Sequence, residues 1–403
     1  MNAVLEQDTF RASVRDWIAA NFPASLRGRS YAAMVDQVPT LQDDLETWRA
    51  RLAAQGWGAP TWPRQYGGAN LSDPQAKVVQ EELEAAQAFN PIPSLAGMGV
   101  TMVGPTMLEY GTEDQKARHL PGMASGEVRW CLGLSEPNAG SDLASLTTKA
   151  EDKGDHFVIN GQKIWTSGAD ISQWCGALVR TDPAVKKRDG ISFVLLPMDQ
   201  PGVRTRPIKL ISGISPFCET YFDDARAEKT DLLGELNDGW SVIKRLLQHE
   251  RQSQTSAARR TVDNEEPLPE IAKRYVGTDA DGTLSDKELR VRLADNLMAD
   301  KAHNLTIARI RAEAQGQVKV SAAASILKNS ATNVAQTKAE LKMEIMGSQG
   351  VGWDGDAYEA DELKQVREWL FGKAASIYGG SFEVQNNIIS KNILGLPETT
   401  QKG

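Results

Sequence analysis

The stretch Phe157-Val158-Ile159-Asn160-Gly161-Gln162-Lys163-Ile164-Trp165-Thr166-Ser167 decides the fold. Two short runs rich in β-branched and aromatic residues flank Asn160-Gly161, the dipeptide that suits the positive φ angles of a type I′ turn, so the spacing predicts a β-hairpin reversing there. Similar runs lie nearby: Trp130 to Leu134, Ala177-Leu178-Val179 and Ile191 to Leu196. Together they mark a β-domain over residues 128–236. Upstream, from Met1 to about Gly126, apolar residues recur at helical spacing, as in Phe10, Val14, Trp17 and Ile18, with breaks at Pro60, Pro63, Gly67 and Gly68 and again from Pro91 to Pro105. This predicts a helical domain over residues 1–127. Downstream of Asp238-Gly239 helical periodicity returns over residues 237–403. Ser285-x-x-Glu288 reads there as a capping box opening a helix to about Glu313, and the acidic, proline-bearing segment Asp263 to Asp281 as an extended loop.

This order of helical, β and helical blocks lacks the alternation of a Rossmann or TIM architecture. The expected class is α+β multidomain. The 403 residues exceed the size of a single ordinary domain, and 41% hydrophobic with 24% charged residues describe a folded soluble protein. The formal net charge of -8 disfavours nucleic acid and anionic membranes as partners. No apolar run approaches the roughly 20 residues of a membrane span. Cys131, Cys175 and Cys218 are too few and too scattered for a disulfide framework, and His119, His156, His249 and His303 show no ligand spacing, so no metal site is expected. The N-terminus reads as an amphipathic helix rather than a signal peptide.

Four stretches could carry chemistry. Trp130 to Asp142, a strand running into the turn Ser135-Glu136-Pro137-Asn138-Ala139-Gly140-Ser141, can offer backbone N–H groups and hydroxyls to a polar ring edge or a phosphate, or can be a simple connection. In Gly161 to Ser167, Trp165 could stack on a ring; taken alone it reads as core. From Trp240 to Arg251, Trp240, Ile243 and Leu247 form a helical stripe that continues to Glu250. A carboxylate there is either a base with a raised pKa or an edge residue paired with Arg245 or Arg251. Ile377 to Asn387 is a double-glycine turn opening a helix, able to present amides to an anion or carbonyl. Two further patterns carry less. Gly347-Ser348-Gln349-Gly350-Val351-Gly352 follows a helix and so fails as a dinucleotide fingerprint, and Lys186-Lys187-Arg188 reads as a solvated hairpin tip.

In order and spacing these stretches resemble the acyl-CoA dehydrogenase family along nearly the whole chain. The resemblance rests on Leu134-Ser135-Glu136-Pro137-x-x-Gly140-Ser141-Asp142, Gly161-Gln162-Lys163-Ile164-Trp165-Thr166-Ser167, Phe222-Asp223-Asp224-Ala225-Arg226 before Leu233-Gly234-Glu235, and Ile377-Tyr378-Gly379-Gly380-Ser381 into Leu394-Gly395-Leu396-Pro397. It implies an N-terminal helical domain, a middle β-barrel or sandwich domain, a C-terminal four-helix bundle and a non-covalent FAD. By motif position it implies flavin-ring contacts at Leu132, Leu134, Ser135, Trp165 and Ser167. Ser141 falls at the pyrophosphate or thioester end, and Arg251 at the CoA portion. Gly347, Ser348, Gly350, Ser381 and Glu383 fall at the FAD of this or a neighbouring subunit.

Two departures shape the expected chemistry. Many members place the catalytic glutamate just after the tyrosine of the C-terminal motif, where this chain has Gly379; in other branches it precedes an arginine on the first bundle helix, the position of Glu250. Glycine keeps the backbone N–H that the family aims at the thioester carbonyl, so only the proton acceptor needs a new place. The family's Arg-x-x-x-Phe-Gly motif is also missing, and its region holds Arg274 and an acidic loop. The resemblance then implies that Glu250 removes the α-proton of an acyl-CoA while hydride leaves for flavin N5, giving a trans-2-enoyl-CoA, with an electron-transfer flavoprotein as acceptor. Alternatives are a subunit of a heterotetramer that needs a related partner to complete its FAD site, and a flavin oxidase or monooxygenase on the same fold. A homotetramer and a bacterial cytoplasm are expected, a processed mitochondrial matrix chain being the alternative. The small residues from Pro91 to Gly104 suit either a roomy acyl pocket or close helix packing.

Overall fold

A computed structural model describes residues 2–29, 41–257, 266–314 and 326–397. The chain divides into two compact units, Met1–Ile208 with Pro216–Arg260, and Lys209–Ser215 with Thr261–Gly403.

The first unit opens with helices α1 (Asn2–Asn21), α2 (Gln42–Ala54), α3 (Asp73–Ala85), α4 (Ile92–Leu95), α5 (Gly104–Tyr110) and α6 (Glu113–Ser125). Val14, Ile18, Trp48, Leu52, Val79 and Leu83 form the core shared by α1, α2 and α3, where Trp17 lies edge-on to Trp57 at 4.7 Å between centroids. A π-helical turn, Gly99–Val103, leads into α5. A Cβ on Gly104 would fall 2.1 Å from the Trp62 indole, so at this position the small residue serves close packing rather than an open pocket.

The middle of the chain forms one eight-stranded mixed sheet: β1 (Trp130–Gly133), β2 (Lys149–Asp152), β3 (His156–Ser167), β4 (Trp174–Arg180), β5 (Ile191–Pro197), β6 (Val203–Ile208), β7 (Phe217–Glu228) and β8 (Leu232–Leu233). The strand order is β6-β7-β3-β2-β4-β5-β8, with β1 parallel to β4. Strands β4 and β5 are covered on both sides, which explains their unbroken apolar runs. Leu178, Phe193 and Leu195 join the core with Met107 and Leu120, while Val179, Val194 and Leu196 join Phe157, Ile159 and Phe222. Each such side chain contributes about 1.5–3 kcal/mol on burial. Helix α7 (Gly239–Ala257) completes this unit, with Val242, Ile243 and Leu246 fully buried in the same core as Phe193.

The expected hairpin at Asn160-Gly161 is not there, because β3 runs straight through it. The dipeptide faces a β-bulge whose extra residue lies on β7, where Asp224 takes φ +53 and exchanges hydrogen bonds of 2.8 and 2.9 Å with the Asn160 side chain. Gly161 is needed because a Cβ would lie 2.7 Å from Thr148 Cα. The chain reverses instead between β2 and β3, where Gly154 at φ +95 turns Lys153 back onto His156.

In the second unit, α8 (Leu268–Val276), α9 (Lys287–Ala314), α10 (Leu327–Met346), α11 (Ala360–Gly372) and α12 (Phe382–Ile388) are helical. Of the segment expected as an extended loop, residues 263–265 lie outside the described residues, and α8 replaces much of the rest. Pro269 sits in the first turn, where proline costs no hydrogen bond, and Leu268, Ile271 and Ala272 present a buried face. Helix α9 opens one residue later than expected, capped by Asp286, whose Oδ1 accepts from Leu289 N at 2.9 Å.

Candidate active site

The Ser135 turn and the Trp165 stretch meet at the end of β1. Ile164 N donates to Ser135 O at 2.9 Å, which sets Leu134 and Ser135 beside the last residues of β3. Beneath this junction lies an ion pair that the sequence did not announce. Lys163 is 0% exposed and its Nζ donates to Glu136 Oε1 at 2.9 Å and to Leu134 O at 3.1 Å. Glu136, 6% exposed, also accepts from Thr147 N, Thr147 Oγ1 and Thr148 N at 2.7 to 2.8 Å, the surroundings of an ionised carboxylate. Burial alone would raise the Glu136 pKa, but the Lys163 charge and these donors together bring it down to about 2. Burial pulls Lys163 below the ordinary lysine value, with Glu136 opposing that fall.

Trp165 is not core. Simple alternation would turn it inward with Lys163, but a second bulge between Lys163 and Thr166 gives β3 an extra residue. Trp165 takes φ +62 and stands 53% exposed, edge-on to Phe217 at 6.1 Å, while Thr166 takes the buried place. A bulky residue in the left-handed region carries strain that the surroundings must sustain. The outcome is a solvent-exposed indole, with half-buried Leu132, Leu134, Ser135 and Ser167 nearby in the strands and turn.

Ser141 is exposed in the turn after Ser135, and its neighbour Asp142 pairs with Lys187 at 2.9 Å. On α7, Glu250 is half-buried and extends the stripe of Val242, Ile243 and Leu246. Arg245 is occupied elsewhere, donating to both Glu109 oxygens at 2.6 and 2.7 Å, and His249 Nε2 lies 3.3 Å from the same carboxylate. Arg245 holds the Glu109 carboxyl below its ordinary pKa. This clamp between α5 and α7, too, has no signal in the sequence. The side chain of Arg251 lies outside the described residues.

The second unit carries the remaining residues. Gly347, Ser348 and Gly350 form a 3₁₀ turn after α10, in which a Cβ on Gly350 would meet Met343 O at 2.5 Å. Ser381 caps α12, its Oγ accepting from Val384 N, and Glu383 lies in the first helical turn, with its pKa lowered by its own backbone N–H and Ser381. Gly379 and Gly380 take φ +65 and +91, and the Gly379 N–H has no protein acceptor among the described residues.

The exposed, strained indole beside backbone and hydroxyl groups fits a planar, polar-edged ring system such as the isoalloxazine of FAD. Among the described residues no group of three or more His, Cys, Asp or Glu is placed to hold a metal ion, and no helix is long and apolar enough to cross a membrane.

A helical block, a mixed sheet and a second helical block follow one another along the chain, with the exposed indole near the end of β3. Models of the acyl-CoA dehydrogenase N-terminal, middle and C-terminal domains match residues 5–127, 131–225 and 237–394. The chain belongs to the acyl-CoA dehydrogenase family, whose members are flavoprotein oxidoreductases acting on CH–CH donors. It is similar to acyl-CoA dehydrogenase IpdE1 of Mycobacterium tuberculosis, 37% identical over 396 residues covering 97% of this chain and 98% of the relative. Among solved structures it resembles the Tcur3481-Tcur3483 steroid ACAD, with TM-score 0.74 and 29% identity over 98% of both chains. It also resembles the ChsE4-ChsE5 complex from Mycobacterium tuberculosis, with TM-score 0.71 and 27% identity over 98% of both.

Proposed function

We propose that the protein is an FAD-dependent acyl-CoA dehydrogenase that converts a CoA thioester to its trans-2-enoyl product, with Glu250 as the base that takes the α-proton. The observation that carries this reading is the strained, exposed Trp165 above the buried Lys163–Glu136 pair, an aromatic platform kept at a cost that packing alone does not require. FAD, when bound, supplies the acceptor for the β-hydrogen and passes the electrons to an electron-transfer flavoprotein. Leu132, Leu134, Ser135, Trp165 and Ser167 hold its ring. Ser141 lies at the pyrophosphate or thioester end, Arg251 meets the substrate's CoA portion, and Gly347, Ser348, Gly350, Ser381 and Glu383 meet the FAD of this or a neighbouring subunit.

Proton removal by Glu250 requires a carboxylate in a partly dry setting, and its half-buried place beyond Leu246 and Leu247 supplies one. The unpartnered N–H of Gly379 is suited to polarise the thioester carbonyl and stabilise the charge that develops as the proton leaves. A homotetramer is the assembly this reading expects.

A second reading is favoured by the two solved relatives named as pairs of components, Tcur3481-Tcur3483 and ChsE4-ChsE5. In it the chain pairs with a related subunit to complete the flavin site, and the likeness to a steroid ACAD makes ring-bearing acyl groups a substrate class to test. An anaerobic visible spectrum, with flavin-to-chain ratio, before and after straight, branched and ring-bearing acyl-CoA thioesters, separates the readings. One flavin per chain bleached by a thioester supports the homomeric dehydrogenase. Half occupancy or no bleaching, reversed by adding a related subunit, supports the second.

A further inference from the structure

Helix α7 is held by two different means along its length. Val242, Ile243 and Leu246 anchor its first half in the core beside Phe193, and Leu246 is the last fully buried side chain among its described residues. Glu250 lies one turn further on, beyond that anchor. This turn is gripped by a carboxylate from another helix. Glu109 of α5 accepts from Arg245 Nε at 2.6 Å and Nη2 at 2.7 Å, and its Oε1 lies 3.3 Å from His249 Nε2. Arg245 Nη1 donates in turn to Gln248 Oε1 at 2.8 Å.

Arg245 and His249 stand four residues apart, so they share one face of α7, and one carboxylate spans both. An isolated surface ion pair is worth little, but a bidentate guanidinium–carboxylate pair with further partners is the geometry that holds. Glu109 itself stands on a rigid support. Helix α5 buries Thr106 and Met107 completely, Thr106 Oγ1 donates to Met102 O at 2.8 Å, and Gly104 packs against the Trp62 indole. Side chains reach about 6 Å from a helix axis, so a rotation of about 10° displaces a terminal carboxylate by about 1 Å. A misplacement of about 1 Å in a reacting group can cost about a hundredfold in rate. Two contacts on one face, a turn apart, fix that rotation, and Glu250 directly follows the second of them.

We propose that Glu109 is a positioning residue for proton removal: by holding Arg245 and His249 it sets the rotation of the turn of α7 that carries Glu250. This rests on the reading of Glu250 as the base and gives a task to a carboxylate that the reading leaves unused.

The test measures anaerobic bleaching of the flavin-loaded protein by the fastest-reacting thioester of a straight, branched and ring-bearing panel. Glu109→Gln keeps the length of the side chain and loses the charge that binds the guanidinium at both oxygens. The expected result is a bleaching rate at saturation lowered about tenfold, with flavin content unchanged and the thioester Kd within about twofold of the parent. Arg245→Gln should slow bleaching to a similar degree, and Glu109→Gln/Arg245→Gln no further, because all three break one clamp. The proposal is overturned by a Glu109→Gln rate within about twofold of the parent, by a loss carried in Kd with the saturated rate intact, or by separate losses that multiply to about a hundredfold in the double variant. Glu250→Gln, run beside them, separates this inference from the one beneath it. If Glu250→Gln bleaches slowly while Glu109→Gln keeps the parent's rate, the positioning role alone fails. If Glu250→Gln bleaches at the parent's rate, or no thioester bleaches the parent, the base assignment fails and takes the inference with it.

Discussion

Trp165 and Gly379 share one backbone conformation, with φ +62 and +65, and reach it by opposite means. At Gly379 the residue has no Cβ, nothing lies within 4 Å of where one would be, and the left-handed turn is free of steric cost. At Trp165 the same angle is imposed on one of the largest side chains, at the end of a strand whose Lys163 is locked to Glu136. The contrast teaches that a left-handed residue with no side chain to place can be left to glycine. A turn that must present an aromatic face needs a rigid foundation beneath it.

The largest expected effect comes from breaking that foundation. Lys163→Met leaves the Glu136 carboxylate buried without its partner and should cost about 3–5 kcal/mol of stability, measured by denaturant unfolding of the flavin-loaded protein. Replacing both residues, Lys163→Met with Glu136→Leu, should recover much of that loss. If the double variant is as unstable as the single one, the pair is not the foundation.

Acid gives the next effect, in a window set by Glu136. Its pKa in the folded chain, about 2, lies below the ordinary carboxylate value. Its contribution is therefore complete above about pH 5 and lost as pH falls toward 2, roughly 3 kcal/mol in all. Across that range the parent should lose about this much stability relative to the Lys163→Met/Glu136→Leu variant. Parallel curves would show that Glu136 titrates normally.

The smallest effect falls on the glycine. Gly379→Ala meets no neighbour, so its cost is the left-handed strain alone, about 1–2 kcal/mol. A loss well above that, by the same unfolding measurement, would mean that Gly379 is crowded and the contrast with Trp165 is mistaken.

The block order, the β-runs and the glycine turn before α12 were legible because each follows from local periodicity or from a residue's own φ preference. The bulge that exposes Trp165 was not, since alternation turns that indole inward and no residue type marks an aromatic forced to positive φ. Asn160-Gly161 misled because a dipeptide that suits a hairpin turn equally suits the strand opposite a bulge. Helix α8 was hidden by its prolines, one of which occupies the first turn, where it costs nothing. The Lys163–Glu136 pair and the Glu109–Arg245–His249 clamp join residues far apart in sequence, and only the folded chain brings them together. The half-buried place of Glu250 on α7 was legible because a carboxylate continuing an apolar stripe is an anomaly at the level of sequence.

The central claim concerns that glutamate, and the most direct measurement is the rate of flavin bleaching by an acyl-CoA under anaerobic stopped flow, for the parent and Glu250→Gln. The account predicts that the variant keeps its flavin and its stability and bleaches at least about a hundredfold more slowly. A variant that bleaches at a rate close to the parent's would place the base elsewhere and contradict the account.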